Sequence, residues 1–326
     1  SAGGGLYLEN AKGFIQDATF ADNVTTDGGG GLQGVAAKDL FFVLEGCTFL
    51  RNQCRYGGGG ASIAGNNTGR WIILNTLFRG NMTTSAENWQ SGAGVSIGKT
   101  VAAFTNCVFE VNGNTSGNGY GSAVFARKAL AADSAKTLFK GCSFAGNYAN
   151  GSGGVGGALW FNDDAFLENC TFVTNFSARF GGAIYTIAGT QIYKDSKFLN
   201  NSAVIAGGAI HFFEYAQPNV IGCDFSGNYT TGTDASAYIS EGYGGAISLC
   251  SSSNSVVSNC VFKSNVSSRF GGGAIGTYTM APPPSLYCYS SQFEGNIGFD
   301  GGAIKLRYPG QIYDCTFITN SSTGTT

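Results

Sequence analysis

Hydrophobic positions in this chain come in short alternating runs, and each run closes on Phe-x-x-Asn. The pattern recurs eleven times in one register, from Phe20/Asn23 through Phe172/Asn175 to Phe317/Asn320, with 24 to 37 residues between successive Phe. Two residues before the Phe stands Cys47, Cys107, Cys142, Cys170, Cys223, Cys260 or Cys315, and Ala18, Thr76, Ser196 or Ser291 in the other copies. Alternate residues of a strand share a face, so the Cys and Phe columns point the same way, inward. Three residues before the Phe only Asn, Asp, Gly or Ser occurs. These residues tolerate the left-handed conformation, which predicts a bend ahead of each strand. A second motif, Gly-Gly-Ala-Ile, alternates with the first at 181–184, 207–210, 244–247, 272–275 and 301–304, and in looser form at 92–95, 121–124 and 156–159. It opens a second inward-facing strand, as in Ile210/Phe212 and Ile304/Leu306.

Each repeat is too thin to bury its own apolar face, so the repeats must stack. Stacking at about 4.8 Å per coil sets Phe above Phe and Asn above Asn, and stacked Asn amides can hydrogen-bond along their column. The expected fold is all-β, a right-handed parallel β-helix of about eleven coils spanning residues 1–326 as one domain. The chain opens inside a Gly-rich motif and stops just past a ladder Asn, so it is expected to belong to a longer solenoid.

Composition changes this picture in two ways. Gly is 52 of 326 residues while Pro is only 5, which fits tight turns between short strands and excludes collagen. Formal net charge is −2 with 12% charged residues, so nothing points to a nucleic-acid partner, and no apolar run is long enough for a membrane span. Ten Cys and eleven N-x-[ST] sequons together point to an exported chain.

The alternation of Gly-Gly-Ala-[Ile/Leu/Val] with Phe-x-x-Asn resembles the chlamydial polymorphic outer-membrane protein repeat, which also occurs in large algal and protist surface proteins. The resemblance covers essentially the whole chain. It implies a right-handed parallel β-helix displayed on a cell surface, with adhesive or structural work. The chlamydial proteins add a membrane-embedded β-barrel, and no such strands follow residue 320.

Three sets of candidate residues follow. The position after the Gly-Gly-Ala-Ile apolar residue holds Phe125, Trp160, Tyr185 and His211 in successive coils. Lying between inward residues, they are expected to form an exposed aromatic stripe that stacks on sugars or a partner subunit. Among the cysteines, the pairs Cys47–Cys54 and Cys250–Cys288 are the disulfide candidates. The inward Cys column reads either as buried thiols or as bridges between coils. Of the sequons, six lie on the Asn ladder and are poor acceptors if they stack inward. Asn66, Asn114, Asn150 and Asn200 are the expected N-glycan acceptors, with Asn169 intermediate.

Two function classes remain. One is an extracellular structural or adhesive glycoprotein, working with copies of itself, another surface protein or glycans, a class that includes the subunit of a surface filament or appendage. The other is a carbohydrate-active β-helix enzyme, a polysaccharide lyase or hydrolase. Glycoside hydrolysis needs paired carboxylates. Asp163 and Asp164 are the best candidates and read more simply as a turn. With one His, no C-x-x-C and scattered acidic residues, no catalytic residue, metal or cofactor is expected.

Overall fold

The structure is a computed structural model. It describes residues 3–10, 12–36, 41–65, 69–84, 92–115, 117–127, 137–232, 243–251, 254–278 and 284–324. Residues 128–136, 233–242 and 279–283 lie outside the described residues.

The chain is all-β, and every strand pairing is parallel. Two sheets run eleven strands each, one of three-residue strands around the Phe column and one of two-residue strands just after the ladder Asn. A third, larger sheet carries two further strand columns, one after the Gly-Gly motif and one before the bend. These two columns fuse into single strands where no insertion separates them, at Ile184–Lys194 and Ile210–Ile221. Consecutive copies stack in register, so Phe144, Phe172 and Phe198 are direct cross-strand partners.

The Phe column forms one continuous stack from Phe20 to Phe317. Neighbouring ring centroids lie 4.6–4.9 Å apart with planes within 10°. From Phe49 to Phe293 these rings are fully buried, each contributing roughly 2–3 kcal/mol of burial. The Cys column and the Ile and Leu residues after the Gly-Gly motif complete the same core.

The Asn column lies beside it and is almost wholly buried. Each amide nitrogen donates to the Oδ1 of the next Asn at 2.9–3.0 Å, from Asn23 through to Asn320. It also donates to the Phe carbonyl of the preceding coil, as Asn175 does to Phe144. Each Oδ1 in turn accepts the backbone N–H of the preceding Asn, as Asn175 Oδ1 accepts from Asn147. A buried amide needs all its donors and acceptors met, and a turn backbone needs partners it cannot find in a sheet. The ladder answers both needs at once.

The bend column before each Cys-x-Phe strand is left-handed in all eleven coils, with φ between 49° and 63°. A second left-handed column directly precedes the ladder Asn, with φ of 50–65° at Asp22, Arg51, Gly80, Val111, Gly146, Thr174, Asn200, Gly227, Ser264, Gly295 and Thr319. The Gly-Gly pair has two separate causes. Gly181 has φ +64°, and a Cβ on Gly182 would sit 2.1 Å from the carbonyl of Gly208 one coil on. The coils approach too closely there for any side chain.

Candidate glycan groove

The outward column after the Gly-Gly motif is in strict register across the coils. Gln33, Ser62, Ser96, Phe125, Trp160, Tyr185, His211 and Ser248 are successive partners. The aromatic members stack as the sequence pattern implies, with centroids 4.5 Å apart for Phe125–Trp160 and 5.4 Å for Tyr185–His211.

The expected exposure of this stripe is not what the structure shows. Phe125, Trp160, Tyr185 and His211 are only 3–8% exposed. The residues that hide them come from the variable segment between the ladder Asn and the Gly-Gly turn. Tyr120, Val155, Phe180 and Ala206 form a row of isolated parallel bridges from coil to coil. Tyr120, Val155 and Phe180, with Ile187 and Phe213, pack on the rings and build a second hydrophobic cluster outside the main core. Alternation along a strand fixes which way a side chain leaves the coil; it does not reveal that another segment lies over it.

A groove follows this column along the rod. One part, about 660 Å³, is bordered by the polar members Gln33, Ser62 and Ser96, with Tyr56 and Lys99. The next, about 380 Å³, runs over the aromatic members between Tyr120, Asn118, Asn162, Arg179 and Phe180. Phe125 and Arg127 line both parts. The Trp160 indole N–H and His211 Nδ1 are buried with no hydrogen-bond partner. Burial lowers the His211 pKa to about 3, and desolvation raises the Tyr120 and Tyr185 hydroxyls above their ordinary value. Arg179 stands over the Phe180 ring, 5.1 Å from its centroid.

The remaining candidates are placed as follows. Asp163 Oδ1 accepts the N–H of Asp164, and Asp164 Oδ1 accepts the N–H of Thr190, so both carboxylates hold the bend between two strands. Lys305 pairs with Asp300, and the backbone N–H of Arg307 donates to Thr277. Among the described residues no three His, Cys, Asp or Glu cluster as a metal site would require. No helix among the described residues is long and apolar enough to cross a membrane.

Neither expected disulfide is formed, and all ten cysteines are free. Cys47 belongs to the column beneath the Phe sheet, while Cys54 lies on the short sheet opposite Thr25 and Thr83. Cys250 pairs with Tyr278 and Cys288 with Val257 and Ile312, in different strand columns. Closeness in sequence places such residues on different faces of a coil, and only the next coil brings partners together. The Cys288 and Cys315 sulfurs lie 3.9 Å apart in adjacent coils, and Cys315 is the one cysteine that is not buried. Burial pushes the Cys54 and Cys250 thiols up to about 12.

Of the expected glycan acceptors, Asn150, Asn169 and Asn200 are exposed. Asn114 is not: it is 2% exposed and its amide donates to Thr83. The residue sits on the short sheet facing the interior, where no sugar fits. Asn66 lies outside the described residues. The ladder sequons at Asn81, Asn175, Asn228 and Asn265 are fully buried.

Residues 169–187, one coil of the rod, match the family model of the Chlamydia polymorphic membrane protein repeat. No curated protein and no solved structure matches the chain.

Proposed function

We propose that this chain is an extracellular, surface-displayed β-solenoid that acts as a rigid adhesive rod, taking glycans in the groove along its outward column. The observation that carries the reading is that groove. Its floor is Tyr120 and Phe180 packed over Phe125, Trp160 and Tyr185, its walls hold amide and guanidinium groups, and its volume falls in the range of ligand sites. The surface assignment is supported by the repeat matched at residues 169–187. In this reading the chain does no chemistry; among the described residues no carboxylate lines the groove around Trp160, and Asp27 lines its other part. N-linked glycans sit on the exposed acceptors Asn150, Asn169 and Asn200, none of them a ladder residue.

A glycan array probed with the purified chain tests the proposal. Binding to a defined set of saccharides is expected, with loss of that binding in a Trp160→Ser, Tyr185→Ser double variant that keeps its β-sheet circular dichroism. A folded chain that binds no saccharide would overturn it.

A further inference from the structure

Four cations on this rod pair with a carboxylate on the neighbouring coil. Arg51 pairs with Asp22, Arg79 with Glu110, Lys140 with Glu168 and Lys263 with Glu294. The groove gathers three that are unpaired. Lys99, Arg127 and Arg179 all line it, and among the described residues none of the three has an ion-pair partner; Asp27 lines the part that holds Lys99. Their spacing is set by the fold. Gly98, Arg127 and Asn162 are register partners on three successive coils, and Lys99 follows Gly98 directly. Arg179 comes from the opposite wall, on the segment that also supplies Phe180. The buried Trp160 indole N–H adds a fourth donor without an acceptor. Around Trp160 the groove is therefore rich in unmet donors and positive charge, and among the described residues no Asp or Glu lines it there. Guanidinium groups favour planar, bidentate anions, and charge-assisted hydrogen bonds are the stronger ones.

We infer that the ligand of this groove is an anionic saccharide, whose carboxylate or sulfate groups meet Arg127 and Arg179 while its ring faces rest against Tyr120 and Phe180. The inference rests on the glycan reading above and narrows it to one chemical class. Lys99 extends the same recognition along the rod axis, so a chain of several sugar units is bound better than a single one.

Titration calorimetry on the intact chain separates the cases, using tetragalacturonate, a heparin-derived tetrasaccharide and neutral cellotetraose as probes at low and high salt. At least one anionic probe is expected to bind about tenfold tighter than cellotetraose, the advantage shrinking with salt. The carboxylated and sulfated probes identify which anion is preferred. An Arg127→Gln, Arg179→Gln double variant is expected to lose about tenfold or more of that affinity. Lys197→Gln, on the Phe sheet, is expected to lose none. Trp160→Phe keeps the stacked ring and removes the N–H, and is expected to weaken binding without unfolding the coil. Equal binding of cellotetraose, or anion binding that survives the double Arg substitution, would overturn the anionic inference and leave the glycan reading standing. Absence of binding to all three probes and to the glycan array would remove both.

Discussion

Replacing Asn175 by Ala tests the ladder directly. Asn175 is fully buried and makes four hydrogen bonds. Its amide donates to Phe144 O at 3.0 Å and Asn201 Oδ1 at 2.9 Å. Its Oδ1 accepts from the Asn147 backbone N–H and side-chain amide, both at 3.0 Å. The Asn147 amide keeps its bond to Phe109, and Asn201 Oδ1 keeps the Asn175 backbone N–H. The groups left wanting are the Asn147 backbone N–H and the Phe144 carbonyl. At about 1–3 kcal/mol for each orphaned buried group, the cost is about 2–6 kcal/mol. Exposed Asn150→Ala, two sequons upstream, is expected to stay within about 0.5 kcal/mol. A solenoid need not unfold in one step, so urea melts should be joined by amide hydrogen exchange. The Asn147 N–H should lose its protection first, with distant coils unchanged. An Asn175→Ala chain that melts with the parent and keeps the Asn147 amide protected would refute the ladder argument. A glycan on Asn175 in peptide mapping would do the same.

Other consequences can be measured with single substitutions. Val111 is β-branched, half-exposed and held at φ 52°, so Val111→Asn should raise stability by about 0.5–1 kcal/mol in a denaturant melt. Gly182→Ala drives a Cβ to 2.1 Å from Gly208 O and should cost about 3 kcal/mol or more, read from the same melts. His211 has its pKa lowered by burial from 6.5 to about 3. The unfolded chain therefore gains a proton that the folded chain refuses, and stability should be complete above pH 6.5 and fall towards pH 3. The slope should be at most about 1.4 kcal/mol per pH unit, flattened in His211→Phe. Mild oxidation by a disulfide reagent should link Cys288 to Cys315 before any other pair, seen as a cross-linked peptide that disappears in Cys315→Ser.

The coil was legible in the sequence because its columns carry distinctive chemistry. Phe, Asn and the Asn/Asp/Gly/Ser bend each recur at a fixed offset, and the structure stacks all three. The second left-handed column escaped because residues such as Arg51, Val111 and Thr174 carry no turn signal. Their conformation is imposed by the ladder Asn that follows, whose bonds to two coils outweigh local preference. The groove was half legible: Phe125, Trp160 and Tyr185 fall in one row, but the cover from Tyr120, Val155 and Phe180 sits in segments of irregular length, where spacing gives no register. The signal was present in Tyr120 and Phe180, each standing just ahead of a Gly-rich turn. Disulfide pairing failed for a related reason, because neighbours in a solenoid are one coil apart rather than a few residues apart.

Under tension this rod becomes a series of identical weak planes. The bonds between coils lie along the long axis, both in the backbone ladders and in the Asn column. A pull along that axis loads all the bonds of one junction together, and the covalent chain crosses each junction only once. When a junction gives way, the 26 residues from Asn175 to Asn201 release roughly 90 Å of chain. They had occupied only about 4.8 Å of the rod. The column that fixes the register thus also sets a yield force. A tether built this way lengthens in coil-sized steps and dissipates work before it parts.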